Sequence, residues 1–210
     1  AQRAESWREE LRRNKKNKDR IDIPRVHMNE LDPAYRITNT EEVNQGLTKE
    51  QALTEACRCL DCPDPLCITG CPVGINIPKF IKNIERGEFL EAAKTLKETS
   101  ALPAVCGRVC PQEKQCESKC FYTQKLHKEA VAIGYLERFA ADYERESGQM
   151  SIPEITSRNG IKIAVVGSGP AGLSFAGDMI KKGYSVTVFE ALHEIGGVLK
   201  YGIPEFRLPN

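Results

Sequence analysis

Two cysteine-rich stretches decide the fold of this chain: CLDCPDPLCITGCP spans residues 59–72, and CGRVCPQEKQCESKC spans residues 106–120. Together they hold eight of the nine cysteines, and the ninth is Cys57. The odd count, without an apolar leader, argues against a disulfide framework, because a reducing compartment keeps thiols free to bind metal. The two stretches therefore predict a metal-containing domain.

The cysteine spacing favours iron–sulfur clusters. The first stretch reads Cys-x2-Cys-x4-Cys-x3-Cys-Pro and the second reads Cys-x3-Cys-Pro-x4-Cys-x3-Cys. Four thiolates hold a [4Fe–4S] cluster, and in two-cluster ferredoxins the cysteine before the proline ligates the other cluster. A similar exchange predicts two clusters here. One is held by Cys59, Cys62, Cys67 and the distant Cys120, and the other by Cys71, Cys110 and Cys116.

Two structural zinc sites are the alternative interpretation, since zinc also binds four cysteines. Zinc ribbons usually present paired C-x2-4-C knuckles, whereas these spacings are uneven and both stretches contain Cys-Pro. The pattern therefore favours iron–sulfur clusters. Cys57 lies outside the pattern and is interpreted as a buried small hydrophobic residue.

The C-terminal residues predict a dinucleotide-binding βαβ unit. IKIAVVG (161–167) suits a buried parallel strand, residues 170–183 suit a helix that ends at a glycine, and YSVTVFE (184–190) suits a second strand. The first turn reads G-x-G-x-x-G, whose glycines let the backbone approach a pyrophosphate at the helix N-terminus. Glu190, which closes the second strand, is expected to accept a hydrogen bond from a ribose hydroxyl.

The dinucleotide is predicted to be FAD rather than NAD. Glu190 is followed by HEIGG (193–197), a glycine pair that recurs after this acid in FAD-dependent folds of the disulfide-reductase type. The acid also argues against a 2′-phosphate on this nucleotide. His193 is interpreted as an exposed loop residue and not as a catalytic one.

The rest of the chain is predicted to be helical or irregular, in two domains. Residues 1–20 suit a solvated helix or, alternatively, a docking arm for a partner subunit, and residues 21–47 suit an extended connecting segment. Further helices are predicted over 48–60, on both sides of Gly87, and over 127–148, before a linker at 149–160. The fold class is thus multi-domain, α plus α/β: an α-helical iron–sulfur domain (1–155) and the first part of an FAD-binding domain (156–210).

Composition excludes several functional classes. Lys and Arg total 30 against 29 Asp and Glu, so no overall field points to nucleic acid or to a membrane surface. No run approaches the roughly 18 apolar residues of a membrane span. A cytoplasmic protein is expected.

With both motifs in view, the sequence resembles the small (β) subunit of NADPH-dependent glutamate synthase and the N-terminal region of dihydropyrimidine dehydrogenase. The shared segments are EACRCLDC (55–62), CPVGINI (71–77), CGRVCPQEKQCESKC (106–120), AIGYLERF (132–139), VVGSGPAGL (165–173) and GGVLKYGIPEFRLP (196–209). The resemblance runs from about residue 25 to the end.

The resemblance implies a set of site residues. It implies that the FAD is lined by the loop Gly167, Ser168, Gly169, Pro170, Ala171 and Gly172, by the segment Glu190–Val198 with Gly196, Gly197 and Val198, by Arg207, and by Val109 from the cluster domain. Relatives complete one cluster with an oxygen ligand on the helix after the cysteines, which places Glu137 there, in preference to Cys106. A carboxylate ligand would shift the potential of that cluster.

The resemblance also implies a function. NADPH is expected to reduce the FAD, and electrons are expected to pass singly through two [4Fe–4S] clusters to a glutamate synthase large subunit that makes glutamate from glutamine and 2-oxoglutarate. A ferredoxin:NADP⁺ transhydrogenase subunit, a pyrimidine reductase and a zinc-stabilised interaction module are the alternatives. Relatives continue beyond this point with the NADPH domain, so the sequence is expected to be a fragment that does not oxidise NADPH alone.

Overall fold

The computed structural model describes residues 3–150, 152, 154–155 and 157–209, which form a helical unit followed by a small βαβ unit. The helices of the first unit are α1 (Ser6–Asn14), α2 (Asn17–Ile21), α3 (Pro33–Arg36), α4 (Lys49–Cys57), α5 (Leu66–Thr69), α6 (Ile77–Glu85), α7 (Phe89–Lys97), α8 (Pro103–Val109) and α9 (Ile133–Ser147). Single turns at Gln112–Lys114, Glu117–Lys119 and Tyr122–Leu126 lie between α8 and α9.

The core of the helical unit lies between α4, α6, α7 and α9, and both cysteine stretches border it. The predicted apolar stripe on either side of Gly87 is confirmed, since Phe80, Ile84 and Leu96 are fully buried. Gly87 has φ +82°, which an L side chain rarely adopts, so the chain can reverse there between α6 and α7.

The predicted start of α4 is confirmed. The Thr48 side chain accepts a hydrogen bond from the Gln51 backbone N–H at 3.2 Å, and the Gln51 side chain accepts one from the Thr48 N–H at 2.9 Å. This reciprocal cap satisfies two donors that a helix otherwise leaves unpaired. The helix therefore begins at a fixed residue and delivers the first cysteine loop.

The N-terminal helix is present, but the prediction that it is solvated is wrong. Arg8 is 3% exposed, and it and Arg12 both form ion pairs with the fully buried Asp61. On the next face, the Trp7 ring lies 4.1 Å below the guanidinium of Arg86. The sequence pattern missed this because α1 packs through long polar side chains instead of apolar ones.

The helix predicted over 127–148 begins later, at Ile133, although it ends as expected at Gly148 with φ +68°. The residues just before Ile133 are not helical, because a buried pair, Glu55 and Arg58, forms hydrogen bonds with their backbone groups. The Ala132 N–H donates to Glu55 at 2.8 Å, and Arg58 donates to the carbonyl of Ala130 at 2.8 Å. These backbone groups are then not available to a helix.

The segment 21–47 crosses the helical unit, as predicted, and also contains the short helix α3. Asp32 caps this helix by accepting hydrogen bonds from two backbone N–H groups. Arg25 anchors the segment, since it donates to Glu117 and to the Ala130 carbonyl, both at 2.9 Å. The segment therefore ties the N-terminal helix to the second cysteine stretch.

The second unit has the predicted βαβ topology. Strands β1 (Lys162–Val166) and β2 (Ser185–Phe189) pair in parallel, and α10 (Pro170–Lys181) connects them. A short helix, α11 (Val198–Tyr201), follows. The predicted burial of the strands is wrong for this chain, because Val166 is 90% exposed and the two strands are flanked by a single long helix.

The linker predicted over 149–160 lies partly outside the described residues, since 151, 153 and 156 are not described. The domain boundary at 155 remains a prediction. Beyond the linker, the Val43 N–H of the helical unit donates to the Phe206 carbonyl at 3.0 Å. This contact holds the C-terminal residues near α8 and α9.

Candidate functional site

Four cysteines line one cavity beside the core, which we call the first pocket. They are Cys59, Cys62, Cys67 and Cys120. The first three come from one loop after α4, and the fourth comes from the turns before α9. The structure thus brings together the residues that the spacing assigns to one cluster.

The thiols of the first pocket interact electrostatically, which shows how closely they face one another. Burial, followed by the neighbouring Cys59 and Cys120, raises the pKa of Cys62 to about 11. The pKa of Cys67 is raised mainly by burial and then by the same two cysteines and Cys62. Without a bound cation, the thiols of Cys62 and Cys67 stay protonated at neutral pH, because burial and the neighbouring cysteines disfavour their thiolates.

A second cavity, the second pocket, is lined by the remaining cysteines of the two stretches and by a carboxylate. Its ligand candidates are Cys71, Cys106, Cys110, Cys116 and Glu137. Ile77 and Ile133 line both pockets, so the two cavities share an apolar wall. Each pocket therefore draws side chains from both stretches, and the fold closes the two sites together.

Glu137 projects from α9 into the second pocket. It is 5% exposed, and its Oε1 atom has no hydrogen-bond partner among the described residues. Burial alone raises its pKa to about 8. A buried carboxylate oxygen without a partner is costly, and a bound cation would relieve that cost.

Cys106 also borders the second pocket, from α8. Burial and then Glu137 raise its pKa to about 11, against the opposing effect of a hydrogen bond with the Ser100 side chain. Its thiol thus has a protein partner, whereas the Glu137 oxygen has none. Both groups reach the same cavity, and the choice between them as a ligand remains a proposal.

Cys57 lines neither pocket, in agreement with its exclusion from the cysteine pattern. It is only partly buried, so its interpretation as a buried residue is wrong. Burial raises the pKa of its thiol, and the Glu85 carboxylate raises it further. Cys57 is the natural control for the other eight cysteines.

The pocket cysteines surround cavities and do not meet at a point. Among the residues that the structure describes, no group of three or more His, Cys, Asp or Glu side chains converges on a position for a single metal ion. Four cysteines around one zinc ion, with Zn–S distances of ~2.3 Å, place their sulfurs about 4 Å apart. A four-iron cluster needs a wider cage.

The carbonyl groups of the first cysteine loop are bound by long side chains. Arg20 donates to the Cys57 carbonyl at 2.7 Å, Lys82 to the Cys59 carbonyl at 2.5 Å, and Arg3 to the Asp61 carbonyl at 2.8 Å. Tyr122, which lines the first pocket, donates to the Arg58 carbonyl at 2.8 Å. Side chains from outside the loop therefore fix its backbone.

In the second unit, the glycine-rich turn and the acid lie together. Ser168 is fully buried, and both its backbone N–H (2.9 Å) and its hydroxyl (2.5 Å) donate to the Glu190 carboxylate. The Leu192 N–H donates to the other carboxylate oxygen at 2.9 Å. These bonds lower the pKa of Glu190 to about 2, so the acid is ionised at neutral pH.

The turn leaves room for a ligand beside the helix N-terminus. Gly167 has φ +94°, and a Cβ atom on Gly167 or Gly169 would meet nothing within 4 Å. Gly169 has an ordinary φ of −66°, so the chain itself does not require glycine there. Space at this position suits the close approach of a pyrophosphate.

The predicted glycine pair packs against this turn. The Gly196 N–H donates to both the carbonyl and the hydroxyl of Ser168 at 3.1 Å. Gly197 has φ +55°, and a Cβ atom there would lie 2.9 Å from the Gly169 Cα. Gly197 is thus required by close contact. His193 is exposed, as predicted.

The other predicted FAD residues are placed less directly. Pro170 and Ala171 begin α10, and Val198 begins α11. Arg207 lines a cavity with Gly107, Arg108 and other residues of the helical unit, whereas Val109 is partly buried at the end of α8. The structure therefore brings Arg207, but not Val109, to a described cavity.

Sequence reasoning missed the polar side chains that position the cysteines. Asp61 is fully buried with φ +51°, and Lys82 is fully buried on α6. Both fall at positions where a charged residue is expected to be exposed. Two sequence features point to them: Asp61 is a charged residue inside a cysteine loop, and Lys82 is a lysine on the otherwise apolar face of α6.

Comparison with known proteins agrees with this geometry. The family model described as "Dihydropyrimidine dehydrogenase domain II, 4Fe–4S cluster" matches residues 36–149. The chain belongs to this family. A second model, "NAD(P)-binding Rossmann-like domain", matches residues 165–205. The predicted order of a 4Fe–4S domain followed by a Rossmann-like segment is therefore confirmed.

Curated relatives in this family carry several names. The chain is 38% identical over 188 residues to the glutamate synthase [NADPH] small chain of Escherichia coli, covering 90% of the chain and 39% of the relative. It is 41% identical over 169 residues to the E. coli NAD-dependent dihydropyrimidine dehydrogenase subunit PreT (80% and 40%), and 40% identical over 180 residues to the putative E. coli oxidoreductase UacF (85% and 28%).

The chain spans two fifths or less of the length of these relatives. Their names support the resemblance to glutamate synthase small subunits and to dihydropyrimidine dehydrogenase. Among the described helices, none has both the length and the apolar character needed to cross a membrane.

Proposed function

We propose that this chain is the electron-transfer part of an NADPH-dependent oxidoreductase of the glutamate synthase type, with two [4Fe–4S] clusters in the helical unit and FAD at the βαβ unit. The clusters accept and donate single electrons, and the flavin exchanges a hydride for single electrons. The protein's own contribution is to bind these groups, to position them and to adjust their electrostatic surroundings.

The observation that carries the proposal is the sorting of eight cysteines into two pockets. Cys59, Cys62 and Cys67 line the first pocket with Cys120, which lies 53 positions after Cys67 in the chain, and the other four cysteines line the second pocket with Glu137. A zinc-stabilised module is the competing hypothesis, and the uneven cysteine spacings, with Cys-Pro in both stretches, disfavour it.

The shared wall supports electron transfer between the pockets. Ile77 and Ile133 line both, and the Cys116 thiol of the second pocket lies close enough to Cys67 of the first pocket to raise its pKa. The pockets are lined mainly by apolar groups besides the cysteines, which excludes water and so favours metal–sulfur bonds over their hydrolysis. One pocket would therefore exchange electrons with the other through a thin apolar layer.

The proposal that FAD binds at the βαβ unit is supported by the open space at Gly169 and by the ionised Glu190. The N-terminus of α10 suits the pyrophosphate, and Glu190 suits a ribose hydroxyl. Hydrogen bonds from Ser168 to Glu190 and from Gly196 to Ser168 fix the acid relative to the glycine-rich turn. The NADPH site, the glutamate synthase large subunit as partner, and a cytoplasmic location belong to the same proposal.

Electron acceptors other than glutamate synthase stay possible within the same class, because PreT and UacF are 41% and 40% identical to the chain and the glutamate synthase small chain is 38% identical. A pyrimidine reductase subunit or a ferredoxin:NADP⁺ transhydrogenase subunit would share both pockets. Proteins that co-purify with the protein under anaerobic conditions would distinguish these partners.

The test of the cluster assignment combines iron analysis with single substitutions. We expect anaerobically prepared protein to be brown, with about eight irons per chain, four for each cluster. Cys120→Ser should lose the cluster of the first pocket, and Cys116→Ser that of the second, each measured as about half the iron and as one of two electron paramagnetic resonance signals. Cys57→Ser is the matched control and should keep both.

Loss of the same signal in Cys120→Ser and Cys116→Ser would contradict the pairing. Colourless protein that binds about two zinc ions per chain would instead support the zinc module.

A further inference from the structure

The first cysteine loop is surrounded by buried cations. Asp61 lies between Cys59 and Cys62, and each of its carboxylate oxygens is bound by one arginine of α1, Arg8 or Arg12. These arginines are four residues apart and thus lie on one face of the helix. Asp61 adopts φ +51°, so the loop is held in a conformation that an Asp side chain rarely adopts without support.

A second group of charges lies on the other side of the same loop. Lys82 is fully buried and donates to the Cys59 carbonyl and to Glu85, both at 2.5 Å. Arg20, also fully buried, pairs with Glu85 at 2.8 Å. In the two groups, four cations face three carboxylates, those of Asp61, Glu85 and Glu5, the last of which lies 3.6 Å from Arg8, and this leaves an excess of positive charge beside the first pocket.

The second pocket has the opposite character. Glu137 points into it with no partner for its Oε1 atom, and Glu117, which lies next to Cys116, is paired with a single arginine, Arg25, at 2.9 Å. The Cys116 thiol is close enough to both carboxylates for them to raise its pKa. The surroundings of the second pocket are therefore less positive than those of the first.

We propose that Arg8, Arg12 and Lys82 are positioning residues that hold the loop carrying Cys59 and Cys62 and make a cluster in the first pocket easier to reduce than a cluster in the second. The inference rests on the proposed function. A cluster that takes up one electron gains one negative charge, and nearby buried cations stabilise that charge in a medium of low dielectric constant. An electron that enters the helical unit therefore resides mainly on the cluster in the first pocket.

The experiment is a reductive titration of the full chain under anaerobic conditions, with dithionite as the electron donor. The two clusters are followed by their electron paramagnetic resonance signals, which Cys120→Ser and Cys116→Ser assign beforehand. We expect the first-pocket signal to develop at the higher potential. In Arg8→Gln/Arg12→Gln, its reduction equilibrium constant should fall about tenfold, or ~59 mV for one electron, while the second-pocket signal stays in place.

Two matched controls separate charge from general damage. Arg13 lies on α1 but is 80% exposed and pairs only with Glu9, and Lys79 lies on α6 and pairs with Glu98 at the surface. Arg13→Gln and Lys79→Gln should leave both potentials unchanged. If the double arginine variant does not fold, Lys82→Gln tests the same sign of shift.

A substitution that shifts the first-pocket potential in the opposite direction distinguishes an effect of charge from a purely structural role. Asp61→Asn removes a negative charge at the same place, so the first-pocket potential should rise while the loop becomes less stable. The inference is overturned if Arg8→Gln/Arg12→Gln and Lys82→Gln leave the first-pocket potential unchanged or shift both clusters equally. Wild-type protein that binds no iron would instead refute the proposed function itself.

Discussion

A single buried side chain, Glu137, bears on which residue completes the ligands of the cluster proposed for the second pocket. Its carboxyl group lies in the second pocket, its Oε1 atom has no partner among the described residues, and burial raises its pKa to about 8. The neighbouring Cys106 thiol, in contrast, is bonded to Ser100. This difference favours Glu137 over Cys106 as the fourth ligand of the second cluster.

At the scale of single residues, we predict that Glu137→Ala and Cys106→Ser differ in iron content. Glu137→Ala should lose the cluster of the second pocket, about four irons per chain, because no other oxygen replaces the carboxylate. Cys106→Ser should keep all eight. Iron analysis with electron paramagnetic resonance measures both, and circular dichroism checks that each variant retains its helices. The reverse pattern would make Cys106 the ligand.

At the scale of elements, α8 and α9 pack without space for a side chain between them. A Cβ atom on Gly107 would lie 2.5 Å from the Arg138 N atom and 2.7 Å from its Cα. Arg108 then reaches Glu42 and Asp142 at 2.7 Å each, which joins both helices to the connecting segment. The contact also brings Cys106 of α8 and Glu137 of α9 to the second pocket.

Gly107→Ala should therefore force the two helices apart. We expect the free energy of unfolding to fall by about 1–3 kcal/mol, the usual cost of overpacking, with part of the second-pocket iron lost. The urea midpoint measures the first effect. Gly177→Ala is the control, because its Cβ would meet nothing within 4 Å, and a helical alanine there should be neutral or slightly stabilising. Equal effects would contradict close packing of α8 on α9.

The elements that sequence predicts well are those whose signals are local. The capping box at Thr48, the glycine break at Gly87 and the βαβ unit follow from residues within a few positions of one another. The late start of α9 could not be predicted, because it depends on Glu55 and Arg58, more than 70 residues earlier in the chain. The burial of α1 was missed for a similar reason, since Arg8 meets Asp61 only in the folded chain.

At the scale of the whole molecule, the cysteine spacing sorted seven cysteines into two sets, and each set lines one pocket in the structure, with Cys106 as a further cysteine of the second pocket. It could not predict the charges around them. Lys82 and Asp61 are buried because their partners come from α1, α2 and the end of α6, and no pattern in one sequence links these segments. The cysteine pattern thus indicates the two pockets, whereas the charges around them are known only from the tertiary structure.

The metal-free protein should become less stable in alkali. Burial raises the pKa of Cys62 and Cys106 from 9.0 to about 11. A folded-state pKa above the unfolded value means that the unfolded chain loses its protons first, so this contribution to stability is full below pH 9 and is lost as pH rises towards 11. Urea midpoints at pH 7.5 and 10.5 measure the loss.

The iron-loaded protein is the control for that experiment, because it shares every other titratable group. Its ligand cysteines are already thiolates, so the same change of pH should lower its midpoint less. A loss as large in the loaded protein as in the metal-free protein would contradict the assignment of these thiols as ligands.

The sharing of ligands between the two stretches has a consequence for synthesis on the ribosome. Cys59, Cys62 and Cys67 leave the exit tunnel well before Cys120, and Cys71 leaves it before Cys110 and Cys116. A nascent chain therefore exposes incomplete sets of thiols until the second stretch has been translated. Both pockets then gain their last cysteines within a short interval, so cofactor insertion into this domain is a late event that follows synthesis of the second stretch.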